Sequence, residues 1–84
     1  MKKYEFLCGG DHGAWECLVT VSLTNEEAAI VKEQSKNDDQ LTVFPPTTDI
    51  FLKVIRALEQ DSLDEIDMDS VIVWIPHELR SDIL

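Results

Sequence analysis

Two stretches, KYEFLC (residues 3–8) and WECLVTVSL (15–23), alternate side-chain character with a period of two on either side of a glycine-rich link. A period of two is the signature of a half-buried strand, and two such strands around a short link read as an antiparallel hairpin. A two-residue turn at His12-Gly13 sets the register. It places Gly10 opposite Trp15, Cys8 opposite Cys17, Phe6 opposite Val19 and Tyr4 opposite Val21. Both apolar sets then fall on one side of the ribbon, which is the condition that makes a register self-consistent.

A helix follows at once. In LTNEEA, Thr24 is an N-cap and Glu27 stands three residues on, the spacing of a capping box. Leu23 and Ala28 occupy the staple positions, and Glu26 and Glu27 lie in the first turn, where the helix dipole favours acids. The helix is expected to fade near Asn37. Pro45-Pro46 forbids helix and holds the next stretch extended. Ile50, Phe51, Val54, Ile55 and Leu58 recur at three- and four-residue spacing, which predicts a second helix from Thr47 or Thr48 to near Gln60. SVIVWI (70–75) is β-branched and apolar on both faces, and reads as a third strand. Pro76 stops it and opens a last helix, PHELRSDIL, with Leu79, Ile83 and Leu84 turned inward. The predicted fold class is α+β, in the order β-β-α-α-β-α. It is one compact domain over residues 1–84, a small three-stranded sheet with two or three helices on one face.

Charge limits the partners. Seventeen acids face seven bases, a net charge of −10. Residues 57–84 hold eight acids (Glu59, Asp61, Asp64, Glu65, Asp67, Asp69, Glu78, Asp82) against Arg80 alone. Such a surface repels phosphate backbones and anionic lipid, so direct nucleic-acid or membrane binding is not expected. No apolar run approaches the length of a membrane span, and Glu5 with the glycine pair interrupts any signal-peptide core. The chain reads as cytoplasmic, with its cysteines reduced.

The stretch CGGDHGAWEC raises the question of chemistry. Cys8, His12 and Cys17, with His77 as a distant fourth, are the candidate ligands of a structural zinc, but their spacing matches no compact zinc signature. The same register is expected to set Cys8 and Cys17 directly opposed in a non-hydrogen-bonded pair, within approach of a cross-strand disulfide. Two buried thiols beneath a hairpin are the simpler reading. The glycines lack the Lys-Ser/Thr of a phosphate loop, and the acidic run lacks the spacing of a calcium loop. No catalytic pattern is present, so no enzyme and no cofactor is expected.

The remaining reading is a non-catalytic interaction module that self-associates or binds a basic protein. Asp61, Asp64, Glu65, Asp67, Asp69 and Trp74 are the candidate contact residues. An acidic run also imitates nucleic-acid phosphates, which makes an inhibitor of a DNA-binding protein the alternative beside zinc. If one sheet face carries no helices, Leu7, Leu18 and alternate residues of 70–75 form an apolar stripe there, and Trp15 and Phe44 are further candidates for an interface.

Overall fold

A computed structural model describes residues 1–10, 15–62 and 70–80. Strand β1 (Lys2–Gly10) pairs antiparallel with β2 (Glu16–Leu23), and every pair falls in the register set by the alternation: Tyr4 with Val21, Phe6 with Val19, Cys8 with Cys17. The turn residues 11–14, and with them His12, lie outside the described residues. Strand β3 (Val71–Trp74) pairs antiparallel with β1, so the sheet order is β2-β1-β3 and β1 is central.

One detail of the hairpin differs from expectation. The Gly10 N–H donates to the Trp15 carbonyl at 3.1 Å. The register runs without a bulge, and hydrogen-bonded and non-hydrogen-bonded pairs alternate along an antiparallel ladder. Cys8 and Cys17, two pairs along, are therefore a hydrogen-bonded pair, not the non-hydrogen-bonded pair that favours a cross-strand disulfide. The alternation is consistent across the sheet. Val73 and Ile75 turn their backbone groups away from β1, where the Val73 carbonyl accepts from Leu41 N–H at 2.7 Å and Ile75 N–H donates to the Asp39 carbonyl at 2.9 Å. The link before the prolines thus bridges the outer edge of β3.

Helix α1 (Asn25–Ser35) begins at the capping box. Glu27 N–H donates to Thr24 Oγ1 at 3.1 Å, and Thr24 N–H donates to Glu27 Oε1 at 2.9 Å. Lys53 reaches the same carboxylate at 2.7 Å from helix α2 (Thr48–Ser62) and ties the two helices together. Partial burial pushes the Glu27 carboxyl up, but the Lys53 and Thr24 hydrogen bonds and the lysine charge outweigh it and hold the group below its ordinary value. A carboxyl lowered in the folded state stabilises the fold above the unfolded pKa, and that contribution disappears as pH falls through the folded value. Urea denaturation of Glu27→Gln and wild type should therefore differ at neutral pH and converge in acid. A gap that stays constant through the carboxylate range would show that the Glu27 charge has no part in it.

Ile50, Phe51, Val54, Ile55 and Leu58 are all buried, so α2 lays the predicted stripe on the sheet. Beneath it lie Tyr4, Phe6, Cys8, Val19, Val21, Leu23, Val71, Val73 and Ile75, which the register places on one face. From α1, Val31 is fully buried, with Ala28 and Ile30 packed against the core. Thr47 precedes α2 as its N-cap residue by position, because its carbonyl accepts the Phe51 N–H at 2.9 Å. Its hydroxyl does not cap the helix. It lies 2.7 Å from the Thr42 carbonyl, 3.0 Å from the Phe44 carbonyl and 2.7 Å from the Thr42 hydroxyl, and pins the Pro45-Pro46 link to the helix start.

The described part of the last segment corrects the final helix. Pro76 is followed by a single 3₁₀ turn, His77–Leu79, and Arg80 is already extended. The described order is β-β-α-α-β. Leu79 is buried, as expected, while Ile83 and Leu84 lie outside the described residues. Its chemistry accounts for the short turn: the Arg80 side chain donates to the Ile75 carbonyl at 3.1 Å and folds the chain back on the strand end.

Candidate protein interface

With the helices on one face, the opposite face of the sheet carries no helix among the described residues. The register sets its composition. Leu7 pairs with Leu18 on one side and with Trp74 on the other, and Trp74 forms an isolated bridge with Gln40. Paired residues point to the same face, so Leu18, Leu7 and Trp74 make one continuous apolar row across three strands. Ile72 stands in the next row, opposite Gly9. Leu18 is 58% exposed, and Leu7, Ile72 and Trp74 are half-buried.

Two glycines shape the ends of the sheet. A Cβ on Gly9 would stand 3.1 Å from the Trp74 ring and 3.2 Å from the Trp15 carbonyl, so the absent side chain lets Trp74 lie flat on the strand. A Cβ on Gly10 would stand 2.8 Å from Trp15 Nε1, and the Trp15 indole occupies that space on the core side. Trp15 remains 37% exposed and Phe44 is exposed, but neither joins the row of Leu18, Leu7 and Trp74.

The thiols lie on the core side of the hairpin. Cys8 is buried, and burial, with the neighbouring Cys17, pushes its pKa up to about 12. A thiol held that high is protonated at neutral pH, which removes its nucleophilicity. Cys17 is half-buried rather than buried, and packs against the core edge. Of the histidines, His77 is exposed on the 3₁₀ turn after β3, and His12 lies outside the described residues. Among the described residues, no group of three His, Cys, Asp or Glu side chains is arranged to hold a metal ion.

The acidic candidates are placed only in part. Asp61 falls within the last turns of α2, and its side chain is outside the described residues, as are Asp64, Glu65, Asp67 and Asp69 altogether. Trp74 is described, and the structure sets it in one row with Leu7 and Leu18, the other residues of the stripe expected from the sequence. No described helix is long and apolar enough to cross a membrane.

A second surface escaped the sequence reading. Along β2, beside α2, run two adjoining hollows of about 340 and 280 Å³. Leu18, Val19, Thr20, Val21 and Ser22 contribute from the strand, and Lys53, Arg56, Ala57 and Gln60 from the helix. Those four helix positions are spaced i, i+3, i+4 and i+7, a stripe that was present in the sequence. Only the tertiary placement of α2 beside β2 makes it the wall of a groove.

No family model, no curated protein and no solved structure matches this chain.

Proposed function

We propose that this chain is a non-catalytic protein-interaction module whose working surface is the helix-free face of its sheet, and that a second copy covers that face. The row of Leu18, Leu7 and Trp74 carries the reading. An isologous contact needs one patch that complements itself, and an apolar patch does so without pairing charges. The register also sets Lys3, Glu5 and Glu16 on this face, so the row itself is its uncharged part, and there two copies of a chain of net charge −10 repel least. A small domain gains from association the apolar burial that its own core cannot supply. The acid excess of residues 57–84 supports a further contact with a basic protein, through Asp61, Asp64, Glu65, Asp67 and Asp69.

Sedimentation equilibrium tests the first contact. Wild type should dimerise more strongly as salt screens the net charge. Leu18→Glu, at an exposed position, should leave the fold intact and weaken the dimer by about tenfold or more, the cost of burying a carboxylate in an apolar interface. A wild type that stays monomeric at every salt concentration, up to about 1 mM protein, would overturn the reading.

A further inference from the structure

The outer side of β3 is bridged at Val73 and Ile75 by Leu41 and Asp39, while β2 has β1 as its sole strand neighbour and presents the longest open edge among the described residues. Because Cys17, Val19 and Val21 form the hydrogen-bonded pairs with β1, Leu18, Thr20 and Ser22 turn their N–H and C=O groups outward. Within that set, the Leu18 carbonyl receives the weak S–H contact of Cys17 at 3.7 Å. An unpaired strand edge is a template for another strand.

The groove beside this edge has a charge opposite to that of the chain. In a protein with seventeen acids, its lining among the described residues holds Lys53 and Arg56 and no carboxylate. Lys53 is engaged by Glu27, whereas Arg56 is exposed and forms no ion pair among the described residues. We propose that an extended acidic segment of a protein partner adds to β2 as a fourth strand and sets a carboxylate on Arg56.

The geometry dictates the pattern of that segment. Side chains alternate between faces, so residues of the added strand opposite Val19 and Val21 point to the α2 wall and meet Arg56. Residues opposite Leu18, Thr20 and Ser22 point to the helix-free face, where an apolar side chain extends the row through Leu18. The segment is therefore alternately acidic and apolar. Two copies of β2 pairing with each other would instead bring two cationic walls together, which disfavours this chain as its own occupant here. This site lies at the strand edge and does not depend on dimerisation through the sheet face.

The probe is a fluorescein-labelled peptide of about seven residues alternating glutamate and valine, long enough to span a typical strand. Its fluorescence anisotropy is titrated with the full chain. The peptide should bind, and added salt should weaken it. Arg56→Glu should cost about tenfold or more in affinity, as expected when a charge-assisted contact becomes a repulsion. Methylating the peptide backbone nitrogens that face β2 should abolish binding, and amide hydrogen exchange at Leu18, Thr20 and Ser22 should slow when the unmodified peptide is added. Circular dichroism establishes that the Arg56→Glu variant is folded. Absence of binding, indifference to Arg56→Glu or to backbone methylation, or preference for a lysine–valine peptide or an oligonucleotide would each overturn the proposal. Dimerisation is read separately by sedimentation, and Leu18→Glu tests it, so failure of one reading is distinguishable from failure of the other.

Discussion

Phe6→Ala should lower the unfolding free energy by about 3–5 kcal/mol in urea denaturation at neutral pH. Phe6 is 0% exposed and sits on the central strand, opposite Val19, beneath the apolar stripe of α2. Removing its ring forfeits the transfer free energy of the side chain and leaves a cavity that the sheet backbone cannot collapse to fill. A domain of this length has roughly 4–12 kcal/mol in total, so the variant stands near the threshold of folding at all. Phe6→Leu keeps most of the volume and should cost about 1.5 kcal/mol or less, which provides a folded comparison. A loss below about 1 kcal/mol for Phe6→Ala would show that the centre of the sheet is not close-packed.

Thr47→Val should cost about 1–3 kcal/mol although it preserves shape and volume. Thr47 is completely buried, and its hydroxyl is the donor nearest to the Thr42 carbonyl, at 2.7 Å. The isosteric methyl leaves that carbonyl to lose its partner away from water, and leaves the Thr42 hydroxyl to fall back on the Phe44 carbonyl at 3.3 Å. The Phe44 carbonyl keeps the Thr47 N–H at 3.1 Å, which limits the damage. Thr47→Ser retains the hydroxyl and should recover most of the loss. The same urea titration decides between them: if Val equals or exceeds wild type while Ser does not, the hydroxyl network contributes no stability and packing of the methyl is what matters.

Local signals carried far into this structure where one face of an element is wet and the other dry. The hairpin register was legible because a slip of one residue would move Phe6 and Val19 from the core into water, a penalty no turn geometry offsets. The box of Thr24 and Glu27 was legible because both halves lie within one helical turn. The face of α2 was legible from the spacing of five apolar residues that are all buried. The last segment was not. Pro76 is as compatible with one 3₁₀ turn as with a longer helix, and a hydrogen bond from Arg80 to Ile75, five residues back, sets the extended exit. The acidic candidates from Asp64 to Asp69 lie outside the described residues, so of the predicted contact set it is Trp74 whose surroundings are on view.

The sequence by itself determined the elements and which side of each is apolar, because alternation and helical spacing act through neighbours a few residues apart. It also determined the excess of acid that makes any cationic surface on this chain conspicuous. The tertiary structure alone decided that β1 takes the centre, that Asp39 and Leu41 bridge one edge, and that β2 is left open beside Lys53 and Arg56. It also decided that Trp74 stands beside Leu7, which the hairpin register had already paired with Leu18, since the third strand pairs across more than sixty residues of chain. Such pairings depend on how whole faces fit together, and no local pattern of residues encodes them.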